Sequence, residues 1–281
     1  MNNILTAIKV IIESSPISVK NASNSSNRAN QAGDALEDYV KNAFANCIGQ
    51  EQNEINRARS QTFSYLGNST NPPDAMLRGG DAIEIKKIES LDTGTLQLNS
   101  SYPKNKLYSD NPKISKACRD CENWQEKDML YVVGQVNGEK LHNLYFVYGD
   151  LYCDSHEVYE KYENAIKDGL NGIGEVELSE TKELGRVNKV DHLQITSLRI
   201  RGMWLIKSPF IHFAYLTKEN TKEYNFRLVA LIPQDKYQSF DNIQEFEKFC
   251  NERKVSLNDV DIASPQNPAN LISAKMITYV Y

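Results

Sequence analysis

Asp74, Glu84 and Lys86 are the residues whose types and spacing point to chemistry. Carboxylates offer hard oxygen donors to a divalent cation such as Mg2+, and an ammonium beside them can hold or help deprotonate an attacking water while offsetting charge on a phosphorane. Together the three suit metal-assisted hydrolysis of a phosphodiester. They must share one face to do it, and the intervening sequence reads as a β-hairpin that can supply that face. Pro72 and Pro73 hold the entry extended, Gly79-Gly80 supplies the turn, and residues 82–88 have the β-branched content of a strand. Side chains alternate along a strand, so Glu84 and Lys86 share one face while Ile83 and Ile85 take the core face. Lys87 falls on the opposite face from Lys86 and is the less suited lysine. The turn decides where Asp74 goes. A two-residue loop pairs Leu77 with Ala82 and leaves Asp74 on the wrong face. A three-residue loop of Gly79, Gly80 and Asp81, with one glycine left-handed, sets Met76 opposite Glu84 and Asp74 opposite Lys86.

Written as a pattern, Pro-Asp, a spacer and Glu-x-Lys is the signature of the PD-(D/E)XK nucleases, though a solvated ionic strand face matches it as well. The flanking sequence is more specific. Arg28-Ala29-Asn30-Gln31-Ala32-Gly33-Asp34-Ala35-Leu36-Glu37-Asp38-Tyr39-Val40, then Phe63-Ser64-Tyr65-Leu66-Gly67-Asn68 running into Asn71-Pro72-Pro73-Asp74-Ala75-Met76-Leu77, resembles the type II restriction endonucleases of the NgoPII kind. So do Leu98-Asn99-Ser100-Ser101-Tyr102-Pro103-Lys104, Glu126-Lys127-Asp128-Met129, Glu183-Leu184-Gly185-Arg186-Val187-Asn188-Lys189-Val190-Asp191 and Arg201-Gly202-Met203-Trp204. The resemblance implies cleavage of double-stranded DNA at a short palindrome, GGCC for this family, leaving 5′-phosphate ends. Asp74 and Glu84 would ligate Mg2+ and Lys86 would position the water. In PD-(D/E)XK enzymes a helix ahead of the hairpin often adds an acid, and Glu37 matches that place. It is either that acid or a solvated helix glutamate, with Asp34 and Asp38 as substitutes. Gly33, one turn earlier, would let a neighbour approach the helix closely. A palindrome presents two symmetry-related half-sites and the chain carries one catalytic hairpin, so a homodimer is expected. A cognate DNA methyltransferase would protect the host's own sites.

The 281 residues can bury a sizeable core. The expected fold is α/β, a restriction-endonuclease-like mixed sheet flanked by helices with an antiparallel C-terminal part. It would form a single domain over residues 1–281, with a catalytic core at about 27–150 and a DNA-contacting part at about 180–281. A net charge of -5 argues against a generally adhesive nucleic-acid binder but not against a specific one, because charge distribution matters more than its sum. No apolar run approaches the length that spans a bilayer, and the opening residues lack a leader pattern, so a cytoplasmic protein is expected. The five cysteines do not make a disulfide framework. Cys118 and Cys121 have a metal-like spacing without two further ligands in a zinc pattern, and read as reduced thiols.

Base and phosphate contacts are expected in two segments. Asn99, Ser100, Ser101 and Lys104 lie in a polar loop just beyond the active strand, which is either a DNA contact or a plain turn. Arg186, Lys189, Arg199 and Arg201 bring charge, and Arg199 and Arg201 alternate with apolar neighbours on one strand face, as guanine readers or as solvated surface. Elsewhere, residues 3–12 read as a terminal helix and 21–27 as a loop, with a longer helix from about 27 burying Leu36, Val40, Ala43, Phe44 and Cys47. Residues 61–66 and 95–98 read as strands. Asn137-Gly138 turns a hairpin of 128–136 with 140–147, covered on both faces. The helix at 156–170 should turn Val158, Tyr162, Ala165 and Ile166 inward. Strands are expected at 194–206, 210–216 and 227–232, and a helix at 242–251. Two rivals remain: a structure-selective repair or nicking nuclease with the same acids, and a DNA-binding module in which they are an ion-pair cluster.

Overall fold

The structure, a computed structural model, describes residues 2–14, 19, 28–68, 71–98, 101–171, 177–178, 184–217 and 224–281, and leaves out the side chains of residues 28–32, 68, 171, 177–178 and 199. The expected loop at 21–27, Asn99, Ser100 and the Arg199 side chain fall outside it.

In chain order the elements begin with α1 (Ile4–Glu13), α2 (Arg28–Phe44), α3 (Gln52–Thr62), β1 (Phe63–Asn68), β2 (Asn71–Leu77), β3 (Ala82–Ile88), β4 (Thr95–Leu98) and β5 (Lys106–Tyr108). Next come α4 (Lys116–Arg119), β6 (Glu126–Asn137), β7 (Lys140–Tyr148), α5 (His156–Asn171), β8 (Glu177–Leu178), β9 (Gly185–Asn188), β10 (Leu198–Ile200) and β11 (Trp204–Lys207). The chain closes with α6 (Pro209–His212), β12 (Arg227–Pro233), α7 (Gln234–Gln238), α8 (Ile243–Arg253), β13 (Ser256–Ala263) and β14 (Leu271–Val280).

The main sheet runs β1-β2-β3-β6-β7-β12-β14-β13, with β5 added on β6. It is mixed: β3 with β6 and β7 with β12 are parallel, and the other neighbours are antiparallel, including the C-terminal trio β12-β14-β13. The central strands are apolar on both sides, as strands covered on both faces must be. Ile83, Ile85, Leu130, Val132, Leu144, Phe146, Leu228 and Ala230 pack against α1, α2 and α8. Their neighbours Met76, Ala82, Tyr131, Val133, Tyr145, Val147, Val229 and Leu231 pack on the other side against Leu107, Ile114, Tyr152 and Phe213. Asn3 caps α1, its side-chain oxygen accepting from the N–H groups of Leu5 and Thr6, and the helix then buries Ile4, Leu5, Ile8 and Ile11. Among the described residues no helix is long and apolar enough to cross a membrane.

Two expected elements differ. Residues 210–216 are not a strand. Pro209 opens the short helix α6, the carbonyl of Ser208 accepts from Ile211 and His212, and Phe213 is thereby placed parallel to the Tyr145 ring. The expected strand at 194–206 is broken into β10 and β11, and β11 leaves its neighbours to pair with β4. The apolar stripe of α5 also faces the other way: Val158, Tyr162 and Ile166 are 39%, 59% and 48% exposed, while Glu163 is 6% exposed. Glu163 turns inward because it has partners there, an ion pair with Lys113 and a hydrogen bond from the Trp204 indole at 3.2 Å.

Candidate active site

The hairpin of β2 and β3 is the element that carries the site. Its register pairs Ala75 with Ile83 and Met76 with Ala82, so Asp74 stands level with Glu84, two positions away from the expected Lys86. The turn has the expected three residues and a left-handed glycine, Gly79 at φ 63°, but it sits one residue earlier in the chain: Arg78, Gly79 and Gly80 lie inside a closure made by Leu77 N–H donating to the Asp81 carbonyl at 2.9 Å. A slip of two keeps every side chain on its face, so Asp74, Glu84 and Lys86 still point the same way.

Contacts from distant parts of the chain pin this turn. Lys127 donates to the carbonyl of Gly80 at 2.7 Å and pairs with Glu122, which accepts from the Gly79 N–H at 3.0 Å. Asp81, almost fully buried, accepts from Tyr148 at 2.7 Å and from Lys236 at 2.5 Å, and Lys236 also bridges to Asp128 at 2.6 Å. From the other side, β1 presses on the Pro73-Asp74 backbone. A Cβ on Gly67 would lie 2.2 Å from the Pro73 carbonyl oxygen and 3.0 Å from the Asp74 Cα, so only glycine allows this approach.

Asp74 does not continue the ladder. One of its carboxylate oxygens instead accepts the Ile85 N–H at 2.6 Å, which fixes the acid against the strand that carries the other two groups. Lys86 Nζ lies 2.6 Å from Glu84 Oε1, and the second Glu84 oxygen is buried with no hydrogen-bond partner among the described residues. Burial and the Glu84 carboxylate, with help from Glu37, push the Asp74 carboxyl up to about 7 against the pull of Lys86. Burial by itself would lower Lys86, but Glu84, Asp74 and Glu37 outweigh it and hold the ammonium well above the ordinary lysine range.

These groups line a cleft of about 210 Å³ shared with Glu37, Gln97, Ser101, Lys104 and Tyr131. Of the three acids considered on α2, Glu37 is the one in the cleft, paired with Lys41 at 2.9 Å; Asp38 pairs with Arg59 and Asp34 is exposed. Gly33 plays no part in this, since a Cβ there would meet nothing within 4 Å. Among the described residues no three or more His, Cys, Asp or Glu side chains form a group that could hold a metal unaided. Cys118 is buried with its thiol on Met76 Sδ at 3.3 Å.

Among the expected DNA contacts, Ser101 and Lys104 lie inside the cleft and not on its rim, 7% and 3% exposed. Arg186 and Arg201 are exposed, and Arg186 stands opposite Arg199 in the β9–β10 register. Lys189 is exposed in the turn between these strands. Arg201 lies beyond β10, so it does not share a strand face with Arg199 as the alternation suggested. Pairing of β11 with β4, Trp204 against Leu98 and Leu205 against Gln97, ties this arm to the wall of the cleft.

The family model described as NgoPII restriction endonuclease matches residues 2–263. The chain belongs to that family. The type II restriction enzyme NgoPII of Neisseria gonorrhoeae is 48% identical to it over 278 residues, 99% of each chain. No solved structure matches the chain. As a member of the NgoPII family it is a type II restriction endonuclease, which acts on double-stranded DNA. Its hairpin, cleft and arm are therefore parts of a nuclease, and the rival of a non-enzymatic binding module is set aside.

Sequence reasoning missed Gln97 and Tyr131 as cleft walls and Lys127, Glu122 and Lys236 as supports of the turn. The block Glu126-Lys127-Asp128-Met129 carried a signal for the supports: Lys127 holds the hairpin turn, and Asp128 bridges Lys236 and Lys106.

Proposed function

We propose that the cleft hydrolyses a DNA phosphodiester with Mg2+ held by Asp74 and Glu84, at the palindrome GGCC, leaving 5′-phosphate and 3′-hydroxyl ends. The observation that carries this reading is the level placement of Asp74 and Glu84 on adjacent strands, with one Glu84 oxygen buried and unpartnered among the described residues. A buried carboxylate oxygen without a donor is costly unless a cation completes it. Mg2+ usually takes one or two carboxylates and fills its shell with water and substrate phosphate oxygens, so this donor set fits. Bound there, it would polarise the phosphoryl group and lower the pKa of a coordinated water.

The chain's own residues do the rest. Lys86, 2.6 Å from Glu84 and held protonated by the surrounding carboxylates in the metal-free protein, is suited to orient the attacking water as a donor. Glu37 lies close enough to raise Asp74 and Lys86 electrostatically, which supports it as an outer acid of the same site. A bond forms from the water oxygen to phosphorus as the phosphorus–O3′ bond breaks; the water's proton leaves to solvent and the 3′ oxygen acquires one. Arg186, Arg199 and Arg201 would read guanine, Lys189 would hold phosphate, and Asn99 and Ser100 would contact the strand leaving the cleft. With one catalytic hairpin in the sequence and two strands to cut, the working unit is a homodimer, and a methyltransferase would mark the host's sites.

Plasmid digestion with Mg2+ followed by sequencing of fragment ends tests this reading. Discrete fragments cut within GGCC and carrying 5′-phosphates are expected. Cuts at branched or damaged DNA alone would favour a structure-selective nuclease. Glu84→Ala should lose cleavage by at least about 10²-fold while still shifting a cognate duplex.

A further inference from the structure

Lys104 lies in the catalytic cleft with Asp74, Glu84 and Lys86, yet only 3% of it is exposed. Burying an ammonium is strongly unfavourable without a counter-charge. Among the described residues Lys104 has no ion-pair partner; Nζ donates to Ser101 Oγ and to the Tyr102 carbonyl at 3.1 Å, and sits 4.9 Å from the centre of the Tyr102 ring. An ammonium has three donors, and these two acceptors are neutral.

The residue is held with unusual care for one with no ion-pair partner among the described residues. Its N–H donates to Tyr131 Oη at 2.7 Å, and the same hydroxyl donates back to its carbonyl at 3.2 Å. Behind it, a Cβ on Gly149 would fall 2.5 Å from both the Lys104 and Asn105 carbonyl oxygens, so glycine there lets the backbone seat. Tyr102, which carries the ammonium on its ring, is fixed by Glu160 at 2.7 Å. Burial also pulls the Lys104 ammonium down to about 8 against the raising effect of Glu84.

The two cleft lysines thus differ in what they can give to a substrate. Lys86 is committed to a carboxylate at 2.6 Å, and Lys104 to none among the described residues. We propose that Lys104 is a second catalytic cation, contacting a non-bridging oxygen of the scissile phosphate, which supplies the counter-charge the protein withholds. This rests on the nuclease reading of the cleft. It assigns Lys104 to the reacting group, where burial places it, and not to the surface that tracks the DNA backbone.

Full-length Lys104→Met, which keeps most of the side-chain volume, tests the assignment, with Ser101→Ala as a second variant that loosens the ammonium without removing it. Two duplexes are bound in EDTA, one natural and one with a methylphosphonate at the scissile position. The preference of wild type for the charged duplex should exceed that of Lys104→Met by about tenfold, with Ser101→Ala between them. Single-turnover cleavage of the natural duplex with Mg2+ should fall on the order of 10²-fold in Lys104→Met, with an unfolding midpoint equal to or above wild type. An unchanged preference in both variants, or cleavage within about threefold of wild type, would overturn the proposal. Glu84→Ala run alongside separates the two readings: if wild type cleaves and Glu84→Ala does not, the cleft is the nuclease site whatever Lys104 does.

Discussion

Replacing Asp74 with asparagine should stabilise the metal-free protein, and the structure sets how much and at what pH. The Asp74 carboxyl ionises near 7 in the folded chain, raised by burial and by Glu84, against about 3.9 when unfolded. The folded state therefore holds a proton that the unfolded state has lost. Stability is full below about pH 4, falls as pH climbs towards 7, and is flat above. About three pKa units at 1.36 kcal/mol each give a cost of roughly 4 kcal/mol at pH 8, an upper bound because the pair can relax. Asparagine removes the charge while its amide oxygen still accepts the Ile85 N–H that Asp74 accepts at 2.6 Å. Urea unfolding of both proteins in EDTA from pH 4 to pH 8 isolates the difference, since all other groups titrate in both. The variant should match wild type near pH 4 and exceed it by up to about 4 kcal/mol at pH 8. Saturating Mg2+ should then raise wild type more than the variant, because a ligand stabilises only what binds it. A variant less stable than wild type at pH 8, or a difference independent of pH, would show that Asp74 is not held among like charges.

Gly67→Ala should cut the cleavage rate by about 10²-fold or more, because the new methyl lies 2.2 Å from the Pro73 carbonyl and must displace Asp74; single-turnover rates with circular dichroism to confirm folding would check it. Lys236→Met leaves Asp81 and Asp128 without their shared partner and should cost about 3 kcal/mol in urea unfolding, although Lys236 lies outside the cleft. Arg199→Ala or Arg201→Ala should narrow the rate ratio between cognate and single-base variant duplexes, each guanine contact being worth about 1–3 kcal/mol. Lys189→Ala should instead weaken binding to all sequences alike and lower the salt dependence.

The hairpin was legible in the sequence because its signals are local: paired prolines, a glycine turn and an alternating strand. Its register was legible only in parity. The placement of the three-residue turn at 78–80, and not at 79–81, is set by Lys127 and Glu122, which lie some distance along the chain and leave no mark on residues 77–81. The same limit hid the face of α5. Val158, Tyr162 and Ile166 recur at helical spacing, but Lys113 and Trp204 recruit Glu163 to the inside and turn the apolar stripe out. Residues 210–216 form a short run that is apolar except at His212, a pattern that suits a buried strand or a helix alike, so Pro209 and the Ser208 carbonyl decided the local structure. Lys104 was recognised as a cation by type, but its burial depends on Tyr131 and Gly149, which only the fold brings together.

The parallel pairing of β7 with β12 has an evolutionary consequence. Asn143 sits beside Arg227 and Val147 beside Leu231, so everything from residue 149 to 226 is an excursion between two neighbouring strands of one sheet. The excursion carries Arg186, Lys189 and Arg201, and its β11 strand docks on β4. Closing a loop costs free energy that grows only with the logarithm of its length, about 0.6 kcal/mol for each doubling. Insertions or exchanges in the outer turn between β9 and β10 therefore bear lightly on the sheet that holds Asp74 and Glu84. If that turn reads DNA as proposed, lineages of this nuclease have room to drift toward new recognition sequences by rewriting it while the sheet that holds Asp74 and Glu84 is inherited unchanged.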